Sequence, residues 1–276
     1  MPYAIDYFCL SHTGRLRRVN QDNFFCLDRH MPQENSGTGG VLYGRVSSGD
    51  SPVFGVFDGM GGEECGEAAS FLAAEKLAGF PLRNRPERAL VRYCREANAD
   101  ICRYTEEHSL TSMGTTAAIL LFARRKIHLC SIGDSKVFRL PASETEGGLE
   151  QISRDHVIAS VYGTKPLLTQ NLGIPETELI LEPHIAHGSC RDGDIYLICS
   201  DGLTDMVETR EIQDTLRTCG KEKAAEELLR KALAGGGRDN ITILLLYITE
   251  EQSSIFHSIR NRLHRTEVSS SWQRQA

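Results

Sequence analysis

The sequence predicts an α+β protein in which antiparallel sheets carry helices on their outer faces. Three observations carry the prediction. Strand-like and helix-like segments come in groups (strands, two helices, strands, two helices, a strand) and do not alternate one by one. The strand-like segments are short apolar runs bounded by turn residues. Aspartates recur at the ends of those runs, at Asp22, Asp58, Asp134, Asp201 and Asp239.

Along the chain, Tyr3 to Leu10 reads as a strand and Ser11-His12-Thr13-Gly14 as a turn. Arg15, Arg17 and Arg18 precede a second strand that opens at Asp22 and runs through Phe24-Phe25-Cys26-Leu27. Residues 29–40 hold Pro, Asn, Ser and Gly and read as a surface loop. Val41 to Val46 and Val53 to Phe57 read as the two strands of a hairpin. From Glu63 the pattern turns helical, with Ala69, Leu72, Ala73 and Leu77 on one face. A second helix follows Pro86, a favoured first residue, and repeats Leu90, Cys94, Ala97, Ile101 and Tyr104 at helical spacing. These two helices are read as packing elements without chemistry.

Met113 to Phe122 reads as one strand and Lys126 to Ser131 as the next. A break at Ile132-Gly133-Asp134-Ser135-Lys136 precedes a strand at Val137 to Leu140, and Leu149 to Ser153 is a short one. Residues 157–192 show no clear period. Asp194 to Cys199 is a strongly apolar strand that ends in Ser200-Asp201-Gly202. Helices are predicted at 209–218 and 221–234, then a tight turn at Gly235 to Asn240 and a last strand at Ile241 to Tyr247. The tail from Glu250 is polar, with Ile255, Ile259 and Leu263 on one face of a short terminal helix.

Composition narrows the function classes. Hydrophobic residues make up 40% and charged residues 25% of the 276, as in ordinary globular proteins. A net charge of −6 argues against a nucleic-acid-binding role. No run reaches the roughly 18 apolar residues of a membrane span, and no basic segment precedes an apolar core at the N-terminus, so no signal peptide is expected. Nine cysteines without a CxxC pair predict reduced thiols and a cytoplasmic setting. Nothing in the pattern calls for an oligomer, and a monomer is expected.

Any one Asp beside Gly or Asn is an ordinary turn residue. Five at strand ends are harder to dismiss, because clustered carboxylates repel unless protonated or bridged by cations. An all-oxygen set without His or Cys suits Mg²⁺ or Mn²⁺ better than Zn²⁺. Spacing alone does not show that the five meet. Arg17 reads either as part of a solvated turn or as a forked donor to an oxyanion such as phosphate.

Taken in order, Gly14-x-x-Arg17-x-x-Asn20-Gln21-Asp22, Asp58-Gly59-Met60-Gly61-Gly62, Gly114-Thr115-Thr116, Gly133-Asp134-Ser135-Lys136, Asp155-His156, Ser200-Asp201-Gly202-Leu203 and Arg238-Asp239-Asn240-Ile241-Thr242 resemble the metal-dependent type 2C (PPM) protein phosphatases, in the form of their bacterial branch. Each motif is weak alone; their order is specific. The resemblance covers residues 4–249 as one domain and leaves 250–276 as the polar tail.

It implies a four-layer α-β-β-α sandwich with two Mn²⁺ or Mg²⁺ ions at one end of two antiparallel sheets. In that pattern Asp58 bridges the ions, the Gly59 carbonyl binds one of them, Asp201 and Asp239 complete the pair, and Asp22 supports it. Arg17 holds the substrate phosphate, and Asp134 with Asp201 matches a third-metal site. The implied activity is hydrolysis of phosphoserine or phosphothreonine in proteins by a metal-activated water, opposing a bacterial Ser/Thr kinase in signal transduction. Three features depart from the pattern: Gln21 where Glu is common, Lys136 where Arg is common, and a short segment after Asp155-His156 where a longer flap is usual. They keep open a second reading, a catalytically weak phosphatase-like regulatory binding module. A third reading is an unrelated metal-dependent hydrolase of small phosphoesters. The leaving-group acid also stays open, between His156 and a metal-bound water.

Overall fold

The computed structural model describes residues 2–60, 65–82, 84–143, 145, 147–159 and 166–251. The expectations for Gly61 to Glu64, for much of the short flap and for a terminal helix beyond Glu251 lie outside them.

Two antiparallel sheets stack face to face. The first holds β3 (Leu42–Ser47), β1 (Tyr3–His12), β14 (Ile241–Glu250), β13 (Ile195–Cys199), β8 (Lys136–Leu140) and β9 (Glu150–Gln151), in that order. The second holds β12 (His184–Ser189), β7 (Lys126–Ile132), β6 (Ala117–Ala123), β4 (Val53–Met60) and β2 (Asp22–Cys26), with β5 (Gly114–Thr115) paired to the end of β4. Helices α1 (Gly66–Ala78) and α2 (Pro86–Glu107) cover the second sheet. Helices α3 (Asp201–Thr204), α4 (Thr209–Thr218) and α5 (Lys221–Ala234) cover the first. A small hairpin, β10 (Val157–Ile158) with β11 (Leu167–Leu168), stands apart. The expected four-layer α-β-β-α sandwich is the observed architecture.

Three apolar layers hold it together, and strand periodicity sorts residues between them. In β14, Leu244, Leu246 and Ile248 point into the layer between the sheets, while Ile241, Ile243 and Leu245 point toward α4 and α5. In β6, Ala118, Leu120 and Phe122 face the other sheet, and Ala117, Ile119 and Leu121 face α1 and α2. A strand buried on both faces has no polar side, which is why these two read as unbroken apolar runs. Small residues on α1 (Ala68, Ala69, Ala73, Ala74) let it lie close to the sheet. The Tyr93 hydroxyl of α2 donates to the Ala73 carbonyl at 2.6 Å and so locks the helix pair.

The predicted hairpin of Val41–Val46 with Val53–Phe57 does not form. β3 pairs with β1, and β4 pairs with β2 and β6, in different sheets. The link between them crosses the sandwich through a 3-10 turn at Ser48–Asp50 and a left-handed Ser51. Buried Ser48 ties both sheets: its Oγ accepts from the Tyr3 amide at 2.7 Å, and its carbonyl accepts from the Arg124 amide at 2.8 Å. The first helix begins at Gly66, later than Glu63.

Candidate metal centre and phosphate site

Asp22 opens β2, and Asp58 is its direct cross-strand partner on β4. Opposed residues of an antiparallel pair place their Cβ atoms roughly 5 Å apart, so the ladder register itself puts two carboxylates side by side. The backbone at Asp58 is fixed by Thr116. The Asp58 amide donates to Thr116 Oγ1 at 2.9 Å, and the Thr116 amide donates to the Asp58 carbonyl at 2.9 Å. Thr116 also exchanges a 2.7 Å hydrogen bond with Ser135. This use of Thr116 splits the expected single strand Met113–Phe122 into β5 and β6.

The first sheet supplies the other carboxylates. Asp201 is the first residue of α3, directly beyond β13, and is buried. A Cβ at Gly202 would overlap the Asn240 carbonyl, so only glycine lets the Asp201 turn lie against the turn that carries Asp239. Asp239 precedes β14; its Oδ1 accepts from the Asn240 amide at 2.9 Å and its Oδ2 from Arg17 Nη2 at 2.8 Å. The sheets are joined at Asp22, whose Oδ2 accepts from Ser200 Oγ and Thr242 Oγ1, both at 2.7 Å. Asp22 Oδ1 is buried without a hydrogen-bond partner.

Electrostatics show what spacing could not. Burial pushes Asp22 up to about 7; the Thr242 and Ser200 hydroxyls act against that rise, and the charges of Asp201 and Asp239 add to it. Asp58 keeps part of its surface accessible but sits deep in protein mass. Burial raises it well above the usual carboxylate range, and Asp22, Asp201, Asp239 and Asp134 each raise it further. All five strand-end aspartates therefore act on one locus. Among the described residues no three carboxylate, imidazole or thiol side chains stand together at metal-ligand spacing. The donor set nevertheless fits a hard divalent cation: it is all oxygen, mutually repulsive, and includes a buried carboxylate oxygen with no hydrogen bond. Gly59 lies in the same wall, where a Cβ would overlap the Gly66 and Gln21 carbonyls.

Arg17 stands at the rim, half exposed, with its guanidinium on Asp239. Its loop is clamped by one side chain: Asn240 Nδ2 donates to the Thr13 carbonyl at 2.8 Å and the Val19 carbonyl at 3.0 Å, while Asn240 Oδ1 accepts from the Gln21 amide at 2.8 Å. Gln21 Nε2 reaches toward Glu67 Oε2 at 3.4 Å. Lys136 is spent on Asp155, and Gln151 Nε2 donates to the other Asp155 oxygen at 2.6 Å. His156 makes a structural hydrogen bond, its Nδ1 accepting from the Gly133 amide at 3.2 Å, and burial lowers its pKa. Cys199 is buried with its thiol raised to about 12, an inert packing residue.

Ser200, Thr242, Asn240 and Thr116 are the supporting residues that the sequence reading missed as participants. Their signal was available, since each lies inside a motif next to or near a candidate aspartate or in the Gly-Thr-Thr run.

A family model described as Protein phosphatase 2C matches residues 43–234. Serine/threonine protein phosphatase PstP of Mycobacterium tuberculosis is 33% identical over 211 residues, 70% of this chain and 40% of the relative, so the chain spans less than half of that protein. Serine/threonine phosphatase stp of Listeria welshimeri is 29% identical over 259 residues, 84% of this chain and 92% of the relative. Among solved structures, the catalytic domain of PstP in complex with two manganese ions superposes with a TM-score of 0.70 at 28% identity, covering 90% of this chain and all of that one.

Proposed function

The chain belongs to the protein phosphatase 2C family, and from that premise we propose that it hydrolyses phosphoserine and phosphothreonine in proteins with the help of two divalent cations, Mn²⁺ or Mg²⁺. The observation that supports this reading is the convergence of Asp22, Asp201, Asp239 and Asp134 on Asp58. Asp58, the Gly59 carbonyl, Asp201 and Asp239 would hold the ions, with Asp22 behind them; Asp134 and Asp201 would hold a third. Bound there, the cations neutralise the carboxylates and supply the Lewis acidity that phosphate-ester hydrolysis needs.

The chain's own groups account for the rest. Arg17 is placed to pair with two phosphate oxygens, because a guanidinium offers parallel donors. Asn240 fixes the Arg17 loop at both ends, so the fork is presented without ordering a loop at each turnover. Ser200 and Thr242 hold Asp22 in one rotamer and tie the two sheets at the site. Arg17 Nη2 pairs with Asp239 Oδ2 at 2.8 Å, which holds the guanidinium at the rim of the site. The catalytic unit is residues 4–249. Phosphoserine and phosphothreonine are made by ATP-dependent Ser/Thr kinases, so on this reading the enzyme would oppose such a kinase, in the cytoplasmic setting expected from its reduced thiols.

The test is hydrolysis of a phosphothreonine peptide by purified protein with Mn²⁺, with Mg²⁺ and with chelator, beside Asp58→Asn and Asp239→Asn. Metal-dependent turnover lost in both variants is the expected result. No turnover with any metal, in protein shown to be folded, would favour the regulatory binding module.

A further inference from the structure

The wall that presents Arg17 carries more positive charge than one phosphate group needs. β1 and β14 pair to their ends, where His12 faces Ile241. The chain leaves that rung in two directions: Arg15 stands three residues beyond His12, and Arg238 three residues before Ile241. The two segments lie in contact, with the Arg15 amide donating to the Gly237 carbonyl at 2.7 Å. Arg17 and Arg18 follow on the Arg15 loop. Two neighbouring turns thus bring four arginines to one edge of the acidic centre, in a chain whose net charge is −6.

Of the four, Arg17 has a carboxylate partner, Asp239. Arg15, Arg18 and Arg238 are exposed, and their side chains have no ion pair or hydrogen bond among the described residues. Arginines elsewhere are matched: Arg45 pairs with Asp6, Arg103 with Asp100, Arg139 with Asp194 and Arg230 with Glu227. Nor can the Arg15–Arg18 loop spread its charges freely. Asn240 holds the Thr13 and Val19 carbonyls, and His12 Nδ1 accepts from the Gly14 amide at 2.8 Å. Like charges fixed close together repel, and an anion placed among them relieves that repulsion.

The charge sits where a substrate would lie. Arg17 is the phosphate donor of the proposed function, and Arg15 is two residues from it, at most about 7 Å of chain. Two residues of an extended substrate cover the same span. A side-chain carboxylate close to the phosphoresidue therefore comes within reach of the unmatched arginines. The aspartates of the centre do not oppose this, because bound cations neutralise them.

Resting on the phosphatase reading of Arg17, we propose that Arg15, Arg18 and Arg238 select phosphoproteins with Asp or Glu within about three residues of the phosphoserine or phosphothreonine. These arginines meet the flanks of the substrate and not the reacting phosphorus. A small phosphate ester without flanks gains nothing from them.

The experiment compares two phosphothreonine peptides of equal length, one flanked on both sides by Asp and the other by Lys, with para-nitrophenyl phosphate as the ester without flanks. Wild type, Arg18→Ala and the double variant Arg15→Glu with Arg238→Glu are assayed with Mn²⁺ at low and high salt, each checked for fold by circular dichroism. The expected kcat/KM ratio of acidic to basic peptide is about tenfold in wild type, the sum of several weak exposed pairs, and shrinks at high salt. It falls to about one or below in the double variant, chiefly through KM, while para-nitrophenyl phosphate turnover stays within about twofold. Arg18→Ala should give an intermediate ratio. A ratio unchanged by the charge reversal, or a wild type that prefers the basic peptide or neither, overturns the proposal. A wild type that hydrolyses none of the three substrates contradicts the phosphatase reading instead. Fluorescence anisotropy of the same labelled peptides then decides the arginine wall by the same ratios.

Discussion

The two sheets present their carboxylates to the candidate centre by different means. Asp22 and Asp58 belong to regular strands and are placed by a ladder rung. Asp201 and Asp239 sit just outside strands, one on a helix start and one on a turn. Burial raises both of these carboxyls above the usual range, and the charges of Asp201 and Asp239 raise them further. Asp239, carried on a turn, instead takes Arg17 as a partner. One sheet thus places its carboxylates by strand register, and the other places them by the turn and helix start that follow its strands.

That contrast can be broken at graded cost. Asp58→Asn removes the carboxylate on which the others act and should lower turnover by on the order of 10³ or more. Asn240→Leu frees both ends of the Arg17 loop by removing three side-chain hydrogen bonds. It should raise KM for phosphopeptide about tenfold with a smaller change in kcat, measurable in steady-state assays. Thr242→Val leaves Asp22 Oδ2 with one donor instead of two and should cost roughly 1–3 kcal/mol of stability, read by urea unfolding.

The last effect is pH dependence of the cation-free protein. The Asp22 carboxyl lies at 3.8 ordinarily and at about 7 in the fold, so the folded state binds more protons between those values. Stability from this group is complete below about pH 4 and is lost as pH rises through about 7. Tm of chelated protein should therefore fall across that window relative to Asp22→Asn, which lacks the titrating group. Saturating Mn²⁺ should reverse the fall at the upper end. A Tm difference between the two proteins that does not change across the window would sink the idea that Asp22 is held protonated by its surroundings.

Much of this was legible in the chain. Helices α4 and α5 lie where the apolar spacing put them, at Thr209–Thr218 and Lys221–Ala234, because amphipathic periodicity is a local signal. The placing of aspartates at strand ends was legible too, because turn chemistry is local. Convergence was not: Asp22 and Asp58 meet through the β2–β4 register, and Asp201 and Asp239 join them through stacking of two sheets. The false hairpin has the same origin: neighbouring strand-like runs suggest a pair, but a buried Ser48 carries the chain to the other sheet. Strand β12 escaped notice because His184-Ile185-Ala186-His187-Gly188-Ser189 is a mostly polar edge strand.

The most direct test of the central claim is calorimetric titration of chelator-stripped protein with Mn²⁺, wild type beside Asp58→Asn. Two ions per chain are expected in wild type, with loss of at least one of them in Asp58→Asn and the fold intact. Unchanged stoichiometry and affinity in Asp58→Asn would contradict it, because the strand-end aspartates would then not be the cation site.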